Sequence, residues 1–380
     1  MKQPNFLAIF GLACTVLASG CGVKLHGQPL PTRVIAPNDG DFAERPGEVI
    51  LHYYGAGGWG ILWRGHYIVA APYFSNHSLV RLAADSVQPK PHEIEAGLRG
   101  TPFRRISALL IGHGHIDHAG DVPLLMQTQP VDHPPALIAD RSTVHLLAKV
   151  LDKFSCVDPI LYDESDKPRR RCPIGGPQPV VRVTAVHSDH APHTQIQGIG
   201  LAAFVGNHDR PLNRLPTHAK DFVLGQTWAY VLDLLDESQN VVFRIHYVDA
   251  APSAPQGILD LPVAASREVD VHIGCVPGHD MVEDYPRALL AANRVQYVIG
   301  AHWEDFFQSR SDDLKPLQFV LDQANMNAYV DKVEAALGKA AGPVAPLPDA
   351  RWQVPQTCGP SGPRWNVPVP GQTLRFAVGK

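Results

Sequence analysis

Three histidines and an aspartate fall within six residues in His113-Gly-His115-Ile-Asp117-His118. Imidazoles and carboxylates lose hydration when crowded together and then need strong partners. A divalent cation satisfies all four at once, because these are the donors that zinc and other borderline metals prefer. The preceding run, Ile106-Ser-Ala-Leu-Leu-Ile111, has strand character and ends at Gly112. His113 and His115, two apart in an extended turn, can converge on one ion. Asp117 and His118 stand at the expected start of a helix and can reach a second ion beside it. A histidine-rich surface loop is the bland alternative, and the strand that delivers the cluster argues against it.

The pattern His-x-His-x-Asp-His after a buried strand resembles the signature of the metallo-β-lactamase superfamily. The resemblance implies an α/β fold of the αββα sandwich type, two mixed β-sheets flanked by helices, with a dinuclear metal site at one edge. It further implies a third histidine, a bridging aspartate and a last histidine, each at a strand end. His187, the first residue off the strand Val180-Val-Arg-Val-Thr-Ala-Val, is the expected third ligand, with His190 and His193 as rivals. Asp249 in Tyr-Val-Asp-Ala is the expected bridge, and His302 in Ala-His-Trp the expected last ligand. One ion would then take His113, His115 and His187. The other would take Asp117, His118 and His302, with Asp249 between them. Asp117 and Asp249 are the candidate catalytic carboxylates. The two ions implied are zinc, with manganese or iron as alternatives on the same donors. The commonest β-lactamases carry a cysteine where this chain offers Asp249, so degradation of antibiotics is not favoured.

Upstream, a strand at 49–54, the glycine loop Gly55-Ala-Gly-Gly-Trp59-Gly60 and a strand pair at 61–63 and 67–71 resemble the opening of the ascorbate-6-phosphate lactonase-like branch. That branch ends a strand in Asp-Pro. Ala71-Pro72 stands here instead, which puts the structural role of that aspartate in question. Trp59, Tyr73, His190 and His279 are candidates to line a substrate pocket.

Stepping outward from these residues, the elements that must carry them read as alternating strands and helices. Short helices are expected at 121–127 and 284–293, and a longer one at 143–154 capped by Ser142. Strands are expected at 136–139, 230–235, 241–247, 269–276, 296–300 and 373–377, with helical segments in 314–340. A hydrophobic content of 45% over 380 residues fits one large domain, taken as 48–380 with a proline-rich C-terminal extension. The 35 prolines and 32 glycines imply long loops around that scaffold. A net charge of −4 and a single basic cluster at Lys167 and Arg169 to Arg171 argue against a nucleic-acid partner.

The chain opens with Lys2, an apolar run over 6–17, and Ala18-Ser-Gly-Cys21. The run is too short to span a bilayer and has the layout of a signal peptide. Its ending resembles a bacterial lipoprotein signal, with Cys21 as the lipidated residue and Ala18 where leucine is usual. Residues 1–20 would be removed and 21–47 would form a tether and arm, leaving the protein lipid-anchored in the cell envelope. An ordinary secretory signal, giving a soluble periplasmic or secreted protein, is the alternative. Cys156 and Cys172 flank a polar, proline-containing stretch, which reads as a loop closed by a disulfide in an oxidising compartment. Cys275 and Cys358 are left over and could pair.

Two ions side by side would activate a bridging water as hydroxide and polarise a carbonyl or phosphoryl oxygen. The expected activity is therefore hydrolysis of a small-molecule ester, lactone or phosphodiester. A lipid-anchored metal-binding or scaffolding protein without turnover is the competing expectation.

Overall fold

The computed structural model describes residues 22–37, 39–192, 195–196, 199–200, 204–318, 320–338 and 364–378. Residues 1–21, with the expected signal peptide and Cys21, and also His193 and Cys358 lie outside the described residues. A small hairpin comes first, β1 (Lys24–Leu25) and β2 (Gln28–Pro29). Six strands then follow: β3 (Glu48–Gly55), β4 (Gly58–Trp63), β5 (His66–Ala70), β6 (Ile106–Ile111), β7 (Ala136–Asp140) and β8 (Cys156–Ile160). β9 (Val181–His187) opens a second sheet, and β10 (Gln195–Ile196) with β11 (Ile199–Gly200) forms another small hairpin. β12 (Trp228–Leu235), β13 (Val241–Tyr247), β14 (Val269–Cys275), β15 (Val295–Ala301) and β16 (Trp365–Asn366) complete the second sheet. β17 (Thr373–Ala377) returns to pair antiparallel with β3 at the edge of the first. The sheet orders are β17-β3-β4-β5-β6-β7-β8 and β16-β15-β14-β13-β12-β9. Both are mixed, antiparallel on one side and parallel on the other.

Alternate residues of the central strands feed two separate cores. In β6, Ala108 and Leu110 enter one core, while Leu109 and Ile111 enter the other. In β12, Trp228, Tyr230, Leu232 and Leu234 join the core of Ala108 and Leu110, and Ala229 and Val231 join that of Leu109. Strands apolar on both faces must be covered on both faces. The two sheets therefore pack face to face, and the crossovers between parallel strands must lie on the outside. Those crossovers carry α1 (Leu79–Ala83), α2 (Pro91–Leu98), α3 (Ile116–Ala119), α4 (Val122–Thr128) and α5 (Arg141–Leu146) on the first sheet. The second carries α6 (Leu261–Ser266), α7 (Arg287–Ala292) and α8 (Gln323–Leu337). α8 shows the logic plainly, burying Met326, Tyr329, Val330 and Val333 as one helical stripe beneath an Asp322 cap. The architecture is an αββα sandwich. No helix among the described residues is long and apolar enough to cross a membrane.

Four local expectations need correction. Asp140, not Ser142, caps α5: its carboxylate accepts from the N–H groups of Ser142 and Thr143 because β7 runs straight into the helix. The α-helix stops at Leu146 and the chain continues as a 3-10 helix, Ala148–Lys153. The stretch after Cys156, expected as loop, begins as strand β8; Pro159 is tolerated there because β8 is an edge strand, and its missing N–H costs no ladder bond. The expected tether is partly docked, since Val23, Leu25 and Leu30 are buried and the Lys24 N–H donates to Gln323 of α8.

Cys156 and Cys172 form a disulfide across 16 positions. The segment it closes runs beside β9, with the Arg169 N–H donating to the Val183 carbonyl and the Asp166 N–H to Ala185. Replacing both cysteines by serine should lower the unfolding free energy by about 3 kcal/mol, the chain-entropy value for a loop near this length. Urea unfolding of the oxidised protein and the double variant measures this. Coincident midpoints would show that the bridge adds nothing.

Candidate metal centre

The chemistry-bearing side chains leave neighbouring strands at one rim of the sandwich. β6 delivers His113 and His115, and α3 follows at once with Asp117 and His118. The loop after β9 supplies His190, the end of β13 supplies Asp249, and the end of β15 supplies His302. The 112–115 turn is clamped from the second sheet: Trp228 N–H donates to the Gly112 carbonyl and Gly114 N–H to Leu224. Tyr230 of β12 also reaches across, its hydroxyl donating to the Ile111 carbonyl at 2.7 Å.

The donors form three overlapping groups: His113, His115 and His190; His113, His118 and Asp249; Asp117, His118 and His302. Within each group the candidate ligand atoms lie within 4.8 Å of one another. Asp249 sits in the middle, with Oδ1 3.1 Å from His113 Nδ1 and Oδ2 3.3 Å from His118 Nδ1. On the far side, Asp117 Oδ2 is 3.0 Å from His302 Nε2 and 3.3 Å from His118 Nε2. On the near side, His113 Nε2 is 3.1 Å from His115 Nδ1, and the His190 ring stands 5.0 Å from that of His115.

Burial and mutual charge set the protonation states. Burial holds the His113 and His115 imidazoles well below their usual range, and the neighbouring histidines push the same way. Burial would raise Asp117, but His118 and His302 pull it well below the usual carboxylate range. Asp249 is raised by burial, which His118 and His302 only partly offset. Neutral imidazoles beside anionic carboxylates are what metal binding requires. Buried His118 Nδ1, Asp249 Oδ2 and His302 Nδ1 make no hydrogen bond among the described residues. A buried carboxylate with an imidazole against each oxygen, and a second carboxylate beside one of them, calls for positive charge, so these residues fit divalent ions.

His187, the expected third ligand, belongs to none of the three donor groups. His187 lies at the end of β9, but its ring stacks 4.5 Å from Tyr162 and 4.7 Å from Trp228, and its Nε2 donates to the Tyr162 carbonyl. The turn after the strand brings His190 to the cluster instead. Of the other pocket candidates, Trp59 is fully buried between the sheets and cannot meet a substrate. Tyr73 is also buried: its hydroxyl accepts from the His77 N–H, and its ring meets Phe306, which in turn packs on His302. His279 is turned to α8, with Nδ1 3.3 Å from Lys332 Nζ and its ring against Tyr329.

Several site-building residues have no signature of their own. A Cβ on Gly112 would lie 2.4 Å from Asp249 Oδ2, and one on Gly57 2.5 Å from His118 Nδ1. Neither position tolerates a side chain. Asp121 accepts the N–H groups of Phe74 and Ser75 and the Ser75 hydroxyl, and so pins the loop that follows Ala71-Pro72. The glycines were visible as glycines, but only the neighbouring carboxylate and imidazole explain them.

No family model matches the chain, and no curated protein matches it. Among solved structures it is similar to Igni18, a metallo hydrolase from the hyperthermophilic archaeon Ignicoccus hospitalis, at 12% identity and a TM-score of 0.46, over 87% of this chain and 98% of that one. It is similar to the metallo-beta-lactamase fold protein YhfI of Bacillus subtilis at 10% identity and a TM-score of 0.46, over 86% and 99%. A possible metal-dependent hydrolase from Veillonella parvula matches at 10% identity and a TM-score of 0.43, over 86% and 98%. At such scores the assignment of the site rests on its own donors.

Proposed function

We propose that the protein is a dinuclear metal-dependent hydrolase of the metallo-β-lactamase superfamily, acting on an ester, lactone or phosphodiester of a small molecule. The observation that carries this is the buried Asp249 carboxylate, one oxygen toward His113 and the other toward His118, between the His113–His115–His190 and Asp117–His118–His302 groups. His113, His115 and His190 would hold one ion, Asp117, His118 and His302 the other, and Asp249 would touch both. When bound, such a pair supplies an activated water and a Lewis acid for the electrophilic oxygen. The chain's own residues do the rest. Asp249 balances charge between the halves, and the clamped 112–115 turn fixes the direction of two rings. Asp117 engages its neighbours through Oδ2. Zinc is the proposed metal, with manganese or iron accepted by the same donors.

Metal analysis of the purified protein, followed by turnover assays on lactones, phosphodiesters and thioesters, tests this. Two ions per chain and turnover on one class are expected. Two ions with no turnover anywhere would favour a metal-binding protein without catalysis, and no bound metal would sink both.

Membrane attachment through a lipid on Cys21 is part of the same proposal, supported by the Ala18-Ser-Gly-Cys21 ending. A multiply acylated cysteine anchors stably where one chain would not. Cys21→Ser should move the protein to the soluble fraction or leave it unprocessed. A variant still processed and still membrane-bound would refute the anchor.

A further inference from the structure

His302 is held with φ +64°, in the left-handed region that side-chain-bearing residues avoid. Such a conformation persists only where the surroundings impose it. Here the His302 N–H donates to the Tyr53 hydroxyl at 2.8 Å, and that hydroxyl donates to Glu304 Oε2 at 2.6 Å. The second Glu304 oxygen accepts the N–H of Ala56, itself at φ +48°. Ala56 belongs to the turn between β3 and β4, whose Gly57 lies against His118 and Asp249. The next strand locks that turn from the other sheet, with the Tyr247 hydroxyl donating to the Gly57 carbonyl at 2.8 Å. Glu304 is buried and belongs to none of the three donor groups. One carboxylate therefore ties together two walls of the Asp117–His118–His302 half: the backbone of His302 and the turn that backs His118.

We infer that Glu304, acting through Tyr53 and the Ala56 N–H, is a positioning residue for the second ion, holding His302 and His118 at the separation that ion needs. The inference rests on the dinuclear reading above. Its chemistry is that of an outer partner to a metal ligand, and loss of such partners weakens metal binding by about tenfold to a hundredfold. Among the described residues Glu304 makes no bond to the His113–His115–His190 half, so the effect should fall on the second ion.

The test is titration of the metal-stripped, otherwise intact protein with Zn²⁺ by calorimetry and with Co²⁺ by its visible spectrum. Wild type should take two ions. Glu304→Gln and Tyr53→Phe should bind the first ion with unchanged affinity and the second about tenfold to a hundredfold more weakly, approaching the single-ion behaviour of His302→Ala. Should Glu304→Gln fail to fold, Tyr53→Phe, which removes one hydroxyl, carries the test. Two undiminished binding steps in a folded variant, even one with a lowered melting temperature, would make the pair merely structural and overturn the inference. Equal weakening of both steps would overturn it too. A wild-type chain that takes fewer than two ions refutes the dinuclear reading and this inference with it.

Discussion

Asp249→Ala should leave the protein folded but unable to retain two ions, with turnover reduced by more than about a hundredfold. Among the described residues, Asp249 is the group whose two oxygens face the two halves of the donor cluster, toward His113 on one side and His118 on the other. Removing it leaves two cations adjacent with one less negative charge between them, and Asp117 alone cannot balance both. The site should then collapse to one occupied half or to none. Elemental analysis of the purified variant at matched protein concentration reads the outcome directly. Two retained ions would show that Asp249 is not the bridge.

The second large effect separates two histidines three residues apart. His190→Ala should lose one of two ions, because His190 is the third donor beside His113 and His115. His187→Ala should keep both, since that side chain spends its Nε2 on the Tyr162 carbonyl and its faces on Tyr162 and Trp228. A modest loss of stability from the broken stack is the only expected cost of His187→Ala. If instead His187→Ala drops to one ion while His190→Ala keeps two, the arrangement described for the near half is wrong.

That pair also shows where sequence stops being sufficient. His113, His115, Asp117 and His118 were legible because they are contiguous, so local spacing alone places them. Asp249 and His302 were legible by order, each following the strand that delivers it. His190 was not, because the rule that a ligand is the first residue off its strand fails when the strand end is tied down. Here the His187 N–H is held by Ser165 and the Ser188 N–H by Thr227, so the chain turns before it reaches the cluster. The strands themselves were readable as short apolar runs, and β13 and β17 fall where those runs place them. β8 was missed because a polar segment with a proline reads as loop unless one knows that it lies at an edge. Glu304 and Tyr53 were beyond reach: 251 positions separate them, and neither residue type advertises a role.

The pairing of β3 with β17 joins residue 48 to residue 377, so the chain closes on itself like a clasped belt. β16, a few residues before β17, does the same for the other sheet by pairing with β15. Loop closure over such separations must be met before its contacts give any return, which makes this a late event in folding. The second sheet gains its last strand only with residues 365–366, and the first only with residues 373–377. β3 ends in the very turn that backs His118, so a nascent chain lacking those last strands holds the histidine cluster on an unfinished frame. The frame behind His118 is therefore complete only once β17 has paired with β3, however early the strands of the cluster itself have formed.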